Sequence, residues 1–449
     1  MKRLVIACMA AAAISACGGE TRLPEATGKA NVWSINAIPT SPEIGFFIEE
    51  RAIGGMSFKA NSLPQAWDDL EYTFNFEAII PPEIGTTRIA SQLLDVVADM
   101  DYIFLVRGSL AAPTITIWEK PERTFDGTET VFELRVGHAA ESLGTVYIYF
   151  ALDGVAPVLG EQVATLAPGE VSGTTDLESD VYVVTVTAEG DPGTVLFQSN
   201  PSNVLAAQSV VVPIFEGDAN DTSPVVAKMI NMQGNSVSFA DARTLPTARY
   251  VHATMDLATS DIYDDVALSN RIVADLAFGD ATGDVDMAVG EVSLTYTAAG
   301  NPGAILHETT LTNFLGTRVN FYMTVDTSVD PTVLIGSRFF VDRRSIETMA
   351  KLTFFHSAIN NLLVDLYVVD SGETIDEKLP RQIRLEYRTQ SPAVSLGEGS
   401  FDVYITTSGE KTILDGPIPL DTVLGGVYEA VLLDRVDPTV VEFKILPPP

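Results

Sequence analysis

Histidine is the side chain most often recruited for proton transfer and for zinc, and this chain has four of them in 449 residues, at positions 138, 252, 307 and 356. His307 and Glu308 open a stretch that begins like a zinc-protease helix. The second histidine four residues on is missing, and the flanking alternation predicts a strand. The other three histidines recur in matching contexts. His138 closes "FELRVGH", His252 closes "TARYVH" and His356 closes "KLTFFH". A stretch near the start, "NVWSIN", carries Asn36 in that place. The intervals are 102, 114 and 104 residues, which is the spacing of tandem units.

Each of these histidines falls on the apolar phase of its segment. Leu134, Val136 and His138 share one face, against Glu133 and Arg135 on the other. A catalytic imidazole needs a nucleophile or carboxylate partner and access to substrate, and one catalytic centre in every repeat would be unusual. The pattern favours rings lodged at the rim of a core. There they satisfy backbone groups as the chain turns, with Asn36 doing the same through its carboxamide.

Other chemistry-bearing residues are sparse or unspecific. Neither a Gly-x-Ser-x-Gly elbow nor a Walker loop is present. Two acidic turns are weak calcium candidates: Asp280, Asp284 and Asp286 in "FGDATGDVDM", and Glu216, Asp218 and Asp221 in "EGDANDTS". Neither has EF-hand spacing, and Asp, Asn and Gly are also what solvated turns prefer. Trp33, Trp67 and Trp118 all fall near the start; they are either sugar platforms or, as burial statistics favour, core residues. No cofactor is expected.

The elements that must position these residues are strands. "YTFNFE" (72–77), "VSLTYT" (292–297), "VNFYMTV" (319–325) and "FDVYIT" (401–406) alternate apolar and polar residues with period two. Pro and Gly punctuate between them, as in "AEGDPGTVLFQS" (188–199) and its counterpart "AAGNPGAILHET" (298–309). Eleven residues beyond Asn36 and the three repeated histidines stand Phe47, Tyr149, Tyr263 and Tyr367, all aromatic. Pro113, Pro331 and Pro438 mark a further common register. Only "ASQLLDVVADM" (90–100) allows a helical turn or two. The expected fold is all-β: four tandem antiparallel β-sandwich domains of the immunoglobulin-like kind, spanning 30–125, 130–240, 246–345 and 349–447. A jelly roll or small barrel stays open as the topology.

The third repeat, "RYVHATMDLATSDIYDD" onward through "EVSLTYTAAGNPGAILHETTLT", resembles the domain-of-unknown-function 4397 family. Repeats two and four are similar but looser. The first departs most, with Asn36 for His and Gly45 where Asp is expected. The resemblance implies an extracytoplasmic β-rich module, often in tandem and often lipid-anchored. It implies no activity.

The opening "MKRLVIACMAAAAISACGGE" pairs two cations with an apolar run too short to span a bilayer, the form of a secretory signal. Ile14-Ser15-Ala16-Cys17 resembles a bacterial lipobox, which implies cleavage after residue 16, lipidation of Cys17 and a tether over 17–29. Gly18 in place of Asp favours the outer membrane by the same resemblance. Cys8 and Cys17 are the only cysteines, so a processed chain has no free thiol and no disulfide. A net charge of −33 argues against nucleic acid as a partner. The expected function is that of a cell-envelope lipoprotein, not an enzyme, with a structural, adhesive or protein-interaction role. A glycan- or calcium-binding surface lipoprotein is the alternative, and an envelope enzyme the remote one. The expected partners are the membrane through the anchor, and envelope proteins or glycans.

Overall fold

The structure, a computed structural model, describes residues 25–80, 85–326 and 333–449. The leader, Cys17, most of the tether and Pro331 lie outside the described residues. Among the described residues every regular element is a strand, and the strands form eight small sheets. The chain is all-β.

The first eight strands set the pattern. They are β1 (Lys29–Asn36), β2 (Ile44–Ile48), β3 (Arg51–Met56), β4 (Gln65–Asp68), β5 (Glu71–Ala78), β6 (Thr87–Asp95), β7 (Met100–Ser109) and β8 (Ala112–Pro121). One sheet has the order β4-β1-β7-β8 and the other β3-β2-β5-β6. The same two orders recur three times along the chain, with Val131–His138, Thr247–His252 and Ala350–His356 in the place of β1. The second copy adds two short strands, Ser202–Asn203 and Ser236–Phe239. A separate apolar cluster joins the two sheets of each copy; in the first it holds Val32, Phe46, Phe74, Phe76 and Phe104.

Two expectations need correction. The sheets are not wholly antiparallel, because β1 pairs parallel with β7, and its counterparts do the same with Ser209–Glu216, Arg318–Asp326 and Val427–Asp434. Residues 90–100 are not helical: 90–95 belong to β6, which pairs with β5 from Glu71↔Asp95 to Ala78↔Thr87. Exposed and half-buried residues alternate along β6, so the Leu93-Leu94 doublet marks an edge strand whose ladder outweighs local helix propensity.

Two kinds of strand follow from two kinds of surroundings. Each β1–β7 sheet is covered on both faces, by its own partner sheet and by the neighbouring copy. Trp33, Ile35, Leu105 and Trp118 pack against Val211, Phe215 and Ile230. Val251 and Tyr322 pack against Phe355, Val431 and Leu433, with the Tyr322 and Phe355 rings stacked at 4.0 Å. Strands buried on two faces read as unbroken apolar runs, such as "YIFLV" (102–106) and "VVVPIF" (210–215). Strands of the other sheet are covered on one face and alternate. Buried ions also cross these contacts. Lys120 Nζ lies 3.0 Å from Asp101 and 2.7 Å from Glu133. Arg249 and Arg343 grip the two oxygens of Glu429 at 2.8 and 2.9 Å.

Candidate functional site

The repeated histidines end the strands in the place of β1, and all three are fully buried. The geometry of their corners is common. In the fourth copy the Ala358 N–H donates to His356 Nδ1 at 3.3 Å, and Nε2 lies 2.8 Å from the Asn361 carbonyl. In the second, Ala140 N–H donates to His138 Nδ1 at 3.3 Å, with Nε2 3.0 Å from the Gly144 carbonyl. These partners require the proton on Nε2. In the third, His252 Nε2 lies 3.3 Å from the Ala258 carbonyl, while Nδ1 has no partner. Asn36 performs both tasks without a ring: its Oδ1 accepts from Ile38 N–H at 3.0 Å, and its Nδ2 donates to Ser41 Oγ and the Met56 carbonyl. Burial pushes the pKa of His138 and His252 below the ordinary histidine value, and that of His356 down to about 4. These rings are neutral at neutral pH and engaged by the backbone, and they do not share a cavity.

A second recurrent feature lies beside each corner and escaped the sequence reading. The carbonyls of Asn36, His138, His252 and His356 accept from the N–H of Lys59, Gly169, Gly279 and Arg388. All four of those residues have positive φ, between 60° and 89°. Three residues on, in every copy, stands a hydroxyl: Ser62, Ser172, Thr282 and Ser391. Each accepts the backbone N–H two residues before the Asn or His, namely Ser34, Val136, Tyr250 and Phe354, at 2.9–3.0 Å. The fixed offset of three was the available signal. It was hidden because the loop between histidine and hydroxyl varies in length among the copies.

Asp261 and Asp365, equivalent in sequence, are also equivalent in space. Asp365 accepts from Arg384 N–H, Ser408 Oγ and Gly409 N–H; Asp261 accepts from Asp275 N–H, Gly300 N–H and Arg271. Each carboxylate fastens a left-handed residue (Asp275 at φ 52°, Arg384 at φ 50°) to a glycine turn. Phe47, Tyr149, Tyr263 and Tyr367 lie two residues beyond this position on the same strand. Tyr149, Tyr263 and Tyr367 are buried but point away from the inter-sheet clusters, and Phe47 is half-buried. Tyr367 packs with Val369, Ile375 and Tyr404 outside the sandwich core.

The calcium candidates are not assembled. Asp284 is held by Arg343 at 2.7 Å and Arg318 at 3.4 Å, and Asp280 by Lys444 at 3.2 Å. Asp286 sits exposed on its strand. Asp218 and Asp221 share Lys59, at 3.2 and 2.5 Å, while Glu216 accepts from Ser142 N–H. Cations distant in sequence hold most of these carboxylates, and no three His, Cys, Asp or Glu side chains gather for a metal among the described residues. His307 lies on the strand Asn301–Asn313 beside Tyr296, with no second imidazole. Trp33 and Trp118 are buried where the first two copies meet, Trp118 donating its indole N–H to the Gly169 carbonyl at 2.8 Å. Trp67 is half-buried and stacks edge-on with Tyr72.

No protein-family model and no curated protein matches the sequence. Among solved structures, the Bacillus anthracis TIE protein is similar at 10% identity, with a TM-score of 0.15, over 91% of this chain and 69% of that one. CBMbc, a family CBM26 domain of Eubacterium rectale Amy13K solved in complex with maltoheptaose, is similar at 10% identity with a TM-score of 0.14, over 41% of this chain and 91% of that one. Neither likeness, at such TM-scores, bears on what this chain does.

Proposed function

We propose that the chain is a lipid-anchored protein of the cell envelope, related to the 4397 family, built of four tandem immunoglobulin-like β-sandwich domains and serving a structural, adhesive or protein-interaction role. The observation that carries this reading is the fourfold repetition of one strand order and one corner, in which the conspicuous side chains are already engaged by the backbone. A scaffold whose repeated corner ties its histidine or asparagine to the backbone is suited to holding surfaces at a distance, and function in such arrays resides in the faces displayed. The apolar contacts between the first and second copies, and between the third and fourth, favour stiff pairs over beads on a string. The acidic surface keeps such an array soluble and discourages binding to nucleic acid.

The anchor is tested by metabolic labelling with palmitate followed by membrane fractionation. The natural chain should carry label and sediment with the outer membrane, and Cys17→Ala should lose both. A Cys17→Ala chain that stays with the outer membrane would refute lipid anchoring. The interaction role is tested by cross-linking in intact cells, where discrete adducts with envelope proteins are expected. A chain that yields no adduct would count against it.

A further inference from the structure

Eight lysines lie among the described residues. Lys29, Lys59, Lys120, Lys351, Lys378 and Lys444 each reach a carboxylate within 4.0 Å. Lys411 donates to the carbonyls of Ile375, Asp376 and Lys378. Lys228 differs from all of them. It is half-buried on the strand Val225–Asn231 and makes one hydrogen bond, to the Lys59 carbonyl at 2.7 Å. In a chain with 60 carboxylates to 27 Lys and Arg, a sheltered ammonium without an acid is out of place. Holding it there costs free energy unless something supplies the missing acceptors. Burial, and then the nearby Lys59 charge, lower its pKa from the ordinary lysine value.

Lys228 lines a cleft of about 290 Å³ where the first three copies meet. Phe58, Val226 and Leu315 contribute apolar lining; Ser238 contributes a hydroxyl, while those of Thr222 and Ser223 are bonded to Thr244 and Asp241. Its carboxylates are already paired. Asp241 is bound by Arg243 and Ser223, and Asp221 by Lys59. Of the two lining cations only Lys228 lacks a carboxylate partner, so the walls suit one carboxylate and not a polyanion. The volume is at the small end for ligand sites and holds a single six-membered ring.

We propose that this cleft binds a small hydroxylated monocarboxylate of hexuronate size, with its carboxylate on Lys228 and its ring against the apolar lining. The ligand can be a free sugar acid or a uronate ending a neutral glycan; both present the same group.

The test is calorimetry on the full chain with sodium glucuronate, glucose, acetate and a neutral oligosaccharide ended by one uronate. Glucuronate should bind and glucose should not, because only the acid meets the ammonium. Acetate should bind more weakly than glucuronate, since it leaves the ring walls empty. Tighter binding of the capped oligosaccharide identifies a glycan end; equal binding identifies the free acid. Lys228→Met should weaken glucuronate about tenfold to a hundredfold, while Lys228→Arg should retain it within about threefold. The unliganded melting temperature of Lys228→Met should not fall, which verifies its fold. Independently, glucuronate should protect Lys228 of the natural chain from reductive methylation, read by mass spectrometry. Equal affinity for glucose and glucuronate, unaltered binding by Lys228→Met, or no protection of Lys228 would overturn the proposal.

Discussion

His356→Ala removes two acceptor–donor functions at once. The Ala358 N–H and the Asn361 carbonyl lose their partners, at 3.3 and 2.8 Å, at a corner where His356 and Ala358 are fully buried and Asn361 is half-buried. Each unmet buried backbone group costs about 1–3 kcal/mol, and the vacated ring volume adds to that. A loss of about 3–5 kcal/mol is expected at pH 7. His356→Asn should cost less than about 1.5 kcal/mol, because Asn36 already fulfils the role in the first copy. The pH dependence has a definite sign. The folded pKa of His356 is about 4 and the unfolded value 6.5, so the fold favours the neutral ring. Its contribution is complete above pH 6.5, declines as pH falls towards 4, and amounts to about 3 kcal/mol across that window. The gap between the natural chain and His356→Ala should therefore narrow by about 3 kcal/mol between pH 7 and pH 4. Fluorescence is the wrong assay, since the three tryptophans lie in the first copy. Hydrogen exchange of peptides covering Ala350–His356 and Val427–Asp434 reports on the corner directly. Protection corrected for intrinsic rate should drop by about two to four orders of magnitude at pH 7 in the Ala variant. A gap independent of pH, or Asn as damaging as Ala, would refute the corner's role.

Three further outcomes follow from the same geometry. Ser391→Ala strands the Phe354 N–H and should cost about 1–2 kcal/mol in denaturant unfolding, whereas Ser391→Thr should be tolerated because Thr282 is its counterpart. Gly137→Ala would set a Cβ 2.3 Å from the Trp118 ring; about 1–3 kcal/mol of destabilisation and a shift in tryptophan emission are expected. Lys120→Met leaves Asp101 buried without a cation and Glu133 with only Arg123 at 4.0 Å, and should lower stability by about 3–5 kcal/mol in thermal melts, with partial recovery on adding Glu133→Gln.

Much of the scaffold was visible in the letters because its determinants are local. Alternation in 72–77, 292–297 and 401–406 reflects one covered face; 319–325 alternates too and is a strand, although both its faces are buried. The histidine phase was readable for the same reason. What escaped depends on residues far apart in the chain. No local pattern distinguishes a parallel from an antiparallel neighbour, so the β1–β7 ladder could not be read. The acidic turns looked available because Lys59 stands far from Asp218 and Asp221 in sequence, as Arg343 does from Asp284. Trp33 and Trp118 gave no sign of facing another copy, since the surface they cover belongs to residues beyond 130. The cleft beside Lys228 draws on three copies and has no signature in any one of them.

The parallel ladder has a bearing on biosynthesis. Asn31 faces Asp101 and Asn36 faces Val106, so the opening strand of a copy must wait for nearly the whole copy to leave the ribosome or translocon before its neighbour arrives. Until then β1 can pair only with β4, while β2 can pair with β3 and β5 and the β5–β6 hairpin can close. During that interval the edge of β1 that will meet β7 has unpaired N–H and C=O groups and is a target for holding chaperones. Slow codons or a pause would be least harmful just after β7 and its three counterparts, where each copy becomes able to shelter its own first strand.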